Sequence, residues 1–142
     1  MSRNRTLSRL ELLGRVVVGV ALLAAGWVHL DLASTYEGIG DRLTVGDLFR
    51  LQGVVAVVLG LAVVVLRRRW VLLAATLVGL GSALATTLSV YIRVPPLGPF
   101  PELYEPVWYD EKLVAAVTAG VAGVVGSVLL ARSVAGGRVT ER

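Results

Sequence analysis

Four long apolar runs, separated by short polar stretches, dominate the pattern along the chain: Leu12 to Leu32, Leu48 to Leu66, Trp70 to Ile92, and Leu113 to Ala131. Each is close to the roughly 20 residues an α-helix needs to cross the hydrocarbon of a bilayer at about 1.5 Å per residue. Inside the runs almost nothing is ionisable. The pattern therefore predicts an all-α integral membrane protein, a four-helix up-down bundle forming one domain over residues 1–142. Only the three arginines 67–69 separate spans two and three, which forces those helices into an antiparallel hairpin. Little is left for a domain outside the membrane.

Charge then orients the bundle. Arg3, Arg5, Arg9, Arg15, Arg67, Arg68, Arg69, Arg132, Arg138 and Arg142 fall on one side, and only Arg42, Arg50, Arg93 and Lys112 on the other. Cytoplasmic loops carry the excess of Lys and Arg, so both termini are expected in the cytoplasm. The acids divide the opposite way: Glu11 and Glu141 inside, the other eight outside. The expected location is the cell inner (plasma) membrane. The first span is expected to stay attached, because no small-x-small cleavage site follows it. Arginines flank spans instead of clustering on a polar domain, which excludes a nucleic-acid partner despite the net charge of +4. Hydrophobic residues are 56% of the chain, too apolar for a soluble domain of this length. Cysteine is absent, so disulfides, thiolate metal sites and cysteine nucleophiles are excluded.

Residues 1–11 are polar and are expected to fray or lie at the interface, with Glu11 and Arg15 four apart on one helix face. The tail after span four is expected to be disordered. Thr44 and Asp47 read as a capping box at the start of span two. All five prolines lie between Arg93 and Asp110, which predicts an ordered, extended cover over the outer ends. Eight of the nine aromatics lie near that outer boundary, either as an interfacial belt or as a lid over a cavity. Small residues recur at helical spacing on span three (Ala75, Gly79, Ala83) and span four (Ala116, Gly120, Gly123, Ser127). Such faces pack helices within a bundle or against a partner.

Polar side chains collect at the outer helix ends: His29 in span one, Arg50 and Gln52 in span two, Ser89, Tyr91 and Arg93 around the end of span three, and Glu111 and Lys112 opening span four. An up-down bundle brings these ends to one depth. His29, Arg50, Gln52, Tyr91, Arg93, Trp108 and Glu111 are accordingly the candidate ligand-binding or proton-carrying residues. Ordinary explanations compete. His29 also fits a simple interfacial position, Glu111 favours a helix N-terminus, and Arg93 favours a C-terminus. Arg50 opposes its helix dipole and calls for an acidic partner such as Asp47, Asp31 or Glu111.

Several residues resemble a group of small, uncharacterised four-span membrane proteins of actinobacteria, a domain of unknown function. They are His29-Leu30, Tyr36, Gly46-Asp47-Leu48-Phe49, Arg93, Trp108 and Glu111. The turn after Arg93, Val-Pro-Pro-Leu-Gly, departs from the group's pattern. The resemblance implies that His29, Arg93 and Glu111 belong together, and implies no activity.

No nucleophile–base set is present, so a binding protein is expected ahead of an enzyme. The leading expectation is a bundle that binds an extracytoplasmic ligand, membrane lipid or partner subunit at its acidic outer face. A partner could also be a second copy of the chain, meeting it through the small-residue faces. The alternative is a proton- or redox-coupled module, haem- or quinone-associated, that uses His29. A small oligomeric transporter ranks third, since no acid lies near the midplane where coupling sites sit. No cofactor or metal is expected in the leading reading.

Overall fold

The computed structural model describes residues 9–40 and 42–138. Expectations that rest on residues 1–8, Asp41 or residues 139–142 lie outside the described residues. Four helices make the fold: α1 (Arg9–Leu32), α2 (Val45–Val65), α3 (Arg69–Tyr91) and α4 (Asp110–Arg138), with a 3₁₀ turn at Ala33–Tyr36 after α1. All four are long and apolar enough to cross a membrane. The chain is a small multi-pass membrane protein. One end of the bundle, the loop end, carries the two long connections; the other, the arginine end, carries Arg67–Arg69.

Large side chains point outward and small ones inward. Val20 and Trp27 on α1, Val58 on α2, Leu77 on α3 and Val124 on α4 are each more than half exposed. The centre is built from Ala25, Ala56, Ala75, Ala119 and Ala122, with Val18, Leu22, Val63 and Val71. A soluble core would reverse this arrangement. In lipid, apolar burial gives helices no advantage over staying apart, so cohesion comes from close backbone approach.

The α1–α2 seam shows that approach most plainly. A Cβ added at Gly19 would lie 2.7 Å from the Gly60 carbonyl oxygen, and one at Gly60 would lie 2.9 Å from that of Gly19. Gly26 and Gly53 repeat the pairing, at 2.9 Å and 3.0 Å. Both pairs step by seven residues in opposite directions, the register of two antiparallel helices. Between α3 and α4, Gly79 sits against the Ala119 carbonyl and Gly123, while Gly126 receives Thr76. The small residues expected on span three therefore pack within the bundle. On α4 the seam runs through Ala115, Ala119, Ala122, Gly123 and Gly126, whereas Gly120 meets only Ala83 and Ser127 is exposed.

α1 packs on α2 and α4, and α4 packs on α3 and α1, but α2 and α3 touch far less. They come together at the arginine end, where Val63, Val71 and Leu72 share the core. Arg67, at φ +49°, reverses the chain there. Arg15, only 3% exposed, closes this end by donating to the Val63 carbonyl at 3.3 Å while Glu11 lies 3.5 Å away. That carbonyl is one of the last in α2 and has no helical N–H to accept from.

α2 begins at Val45, directly after the expected cap Thr44, and Thr44 and Asp47 complete the expected capping box. Two boundaries differ from expectation. α1 begins at Arg9 instead of at the apolar run. α4 continues past the last apolar residues to Arg138, because no strong breaker precedes Gly136 and Gly137. The proline segment is an irregular cover folded back on itself, with Val94 paired to Leu103 and Leu97 to Phe100.

Candidate functional site

A cavity of about 430 Å³ opens beneath the two loops. Its walls come from all four helices: Val28, His29 and Leu32 from α1, Leu48, Phe49, Leu51 and Gln52 from α2, Gly81, Ser82, Ala85, Thr86 and Ser89 from α3, and Lys112 and Ala115 from α4. Tyr36 and Ile39 close it from the first connection, and Glu102, Leu103, Tyr104, Glu105 and Tyr109 from the second. Gly81 lies ten residues before the end of α3, so the cavity reaches about 15 Å down the bundle, about half of a bilayer-crossing helix.

The roof is fastened by one polar cluster. Tyr36 donates to Glu105 Oε1 at 2.5 Å, and its hydroxyl lies 2.8 Å from that of Tyr109. Tyr109 lies 3.3 Å from Glu105 Oε2. Lys112, 5% exposed, donates from Nζ to the Glu105 carbonyl at 2.8 Å and to Oε2 at 3.2 Å. The first connection, through Tyr36, and the entry to α4, through Tyr109 and Lys112, thus meet on one carboxylate. Burial pushes the Tyr109 phenol up from its ordinary range, and the neighbouring Glu105 charge adds to the rise. The phenol therefore stays protonated across the physiological range and keeps its place as a donor.

Below the roof some polar groups on the wall are paired within their own helices and others are not. His29, 7% exposed, donates from Nδ1 to the Ala25 carbonyl at 2.7 Å. A carbonyl can only accept, so this tautomer leaves Nε2 as a bare acceptor. The ring is held edge-on to Phe49 at 5.3 Å, and Phe49 also packs on Tyr36 at 5.0 Å. The hydroxyls of Thr76, Thr87, Ser89, Thr118, Ser127 and Ser133 return to carbonyls three or four residues back in their own helices. Ser82 and Thr86, both on the cavity wall, make no such bond. Ser82 Oγ is enclosed by protein and has no partner among the described residues. Gln52, in the first turns of α2, likewise contributes an amide with no partner among the described residues.

Of the seven candidates from the sequence, His29 and Gln52 lie on the cavity wall. Arg50 is exposed and pairs with Glu37 and Asp47, which supplies the acid its position calls for. Arg93 pairs with Glu102 and lies over the Tyr104 ring at 5.5 Å. Tyr91 accepts from Trp108 Nε1 at 3.2 Å on the exposed rim. Glu111 points outward. His29, Arg93 and Glu111 do not contact one another, so the grouping implied by the resemblance is absent. At this end the buried cation is Lys112, and its acidic partner is the half-buried Glu105. One residue along a helix is about 100° of rotation, enough to turn Glu111 out and Lys112 in. Glu105 and Tyr109 went unmarked because their partner Tyr36 is some seventy positions away, and no local spacing betrays such a contact. Among the described residues, no three His, Asp or Glu side chains gather as metal ligands. No protein-family model, curated protein or solved structure matches the chain.

Proposed function

We propose that this membrane protein is a binding protein, not an enzyme, and that it holds a small lipid-like ligand in the cavity under its proline loop. The observation that carries this reading is the pair of polar groups without a partner among the described residues, the Gln52 amide and the Thr86 hydroxyl, on the wall of a mostly apolar cavity. A polar group left without a partner in such a site costs about 1–3 kcal/mol, and a ligand would supply the missing bond. The pocket's mixture of many apolar walls and a few convergent polar groups is the usual make-up of a small-molecule site.

Native mass spectrometry of the full chain, extracted gently from its own membrane, tests the reading. The expected result is a stoichiometric small adduct without visible colour, lost when Ser82→Leu fills the cavity. A bare chain of 15.0 kDa sinks it. An adduct with haem absorbance would instead promote the redox alternative, with His29 Nε2 as the axial ligand.

The loop end is proposed to face the outside, since Arg67, Arg68 and Arg69 mark the opposite end. Because the chain has no cysteine, single introduced thiols report side directly. Thr35→Cys should react with an impermeant maleimide in intact cells, and Leu66→Cys only after lysis. The reverse pattern would invert the topology.

A further inference from the structure

The cavity has a second kind of opening, and its wall has a charge balance; together they define a ligand class. Among the helical wall residues, Leu51 on α2 and Gly81 and Ala85 on α3 are exposed. They sit within the apolar spans, on the two neighbouring helices that touch least. The gap between them opens sideways into the bilayer. A Cβ added at Gly81 meets nothing within 4 Å, so the space beside it is free.

Both charged pairs on the wall are already neutralised. Lys112 is bound to Glu105, and Glu102 to Arg93. What remains unpaired and open to the cavity is His29 Nε2, the Gln52 amide and the Thr86 hydroxyl. These offer donors and acceptors but no free charge. An ionised head placed among them would lose its water without gaining a counter-ion, a far larger penalty than desolvating a carbonyl or hydroxyl.

We infer that the cavity takes a single-tailed amphiphile whose head is uncharged and bears carbonyl or hydroxyl oxygens, and that this ligand enters from the bilayer between α2 and α3. The inference rests on the binding role proposed above and specifies its ligand and route. Thr86 and the Gln52 NH₂ donate to the head's oxygens. His29 Nε2 accepts from a hydroxyl where the head has one. The tail leaves past Leu51 and Gly81 into the lipid.

The test uses the full chain in phosphatidylcholine nanodiscs doped with equal amounts of three probes sharing one alkyl tail: an alkyl benzoquinone, an alkyl phosphate and an alkyl trimethylammonium. Native mass spectrometry reads which probe is retained and how fast. The quinone should be retained about tenfold or more over either charged probe, a difference of about 1.4 kcal/mol. Gly81→Phe should slow quinone uptake by about tenfold while leaving the head preference unchanged. Val117→Phe, which adds the same bulk on the exposed face of α4, should leave uptake as it was. Preference for the phosphate or the ammonium overturns the uncharged head. Equal uptake by Gly81→Phe and the parent overturns the route. Retention of no probe overturns the ligand class, and the adduct from the native membrane then decides separately whether the binding role survives.

Discussion

Glu105→Gln should destabilise the folded bundle by about 2–3 kcal/mol, read as a lower midpoint in a denaturing-detergent titration of the full chain in mixed micelles. The physical reason is Lys112. Its ammonium is 5% exposed, and its one anionic partner among the described residues is Glu105. With a glutamine there, the charge keeps only neutral acceptors, the residue 105 carbonyl and the new amide oxygen, and the face of Tyr109 at 5.9 Å. Removing one member of a fully buried pair costs about 3–5 kcal/mol. Glu105 is 36% exposed, so water screens part of the interaction and the lower figure applies. Tyr36 and Tyr109 lose their charged acceptor in the same change. Adding Lys112→Met to Glu105→Gln should recover part of the loss, since no buried charge is then stranded. If Glu105→Gln unfolds at the parent's midpoint, the cluster does not hold the roof.

Gly60→Val should cost about 3 kcal/mol or more, because the α1–α2 seam has no room for any side chain. The first added carbon would meet the Gly19 carbonyl oxygen at 2.9 Å and Leu23 Cγ at 3.2 Å. Leu23 can turn aside, but a helix carbonyl cannot, so the helices must separate. Separation also parts Gly26 from Gly53 one register step away. Gly120→Ala is the matched control. There a Cβ meets only Ala83 Cβ at 3.9 Å, and the change should be neutral or stabilising by up to about 1 kcal/mol through helix propensity. The same titration reads both. Equal midpoints for Gly60→Val and the parent would mean that the close seam contributes nothing to cohesion.

The fold was legible because bilayer thickness and backbone hydrogen bonding leave an apolar run of this length only one structure. The start of α2 was legible too, through the local chemistry of Thr44 and Asp47. The close seam between α1 and α2 was not, although Gly19, Gly26, Gly53 and Gly60 carry the signal at sevenfold spacing. In a chain with 16 glycines, spacing alone does not reveal which glycines face each other. The roof was harder still. Outer-end position drew attention equally to Arg50, Arg93 and Glu111, which face solvent, and to His29 and Gln52, which line the cavity. Which of them turns inward depends on helix rotation and on where the proline cover lands, and both are set by long-range packing.

The contact order among the helices also says something about how the molecule is made. The link between α2 and α3 is so short that the two are expected to enter the bilayer as a hairpin. Yet these two helices hold each other weakly. α2 finds its lasting partner in α1, already in the membrane, while α3 finds its own only when α4 arrives. Until then, the faces of α1 and α3 that α4 will cover, with Ala75 and Gly79 among them, are open to lipid or to any neighbouring helix. A nascent chain stalled before its fourth span is thus a bundle missing one wall, and membrane quality control would have small-residue faces by which to recognise it.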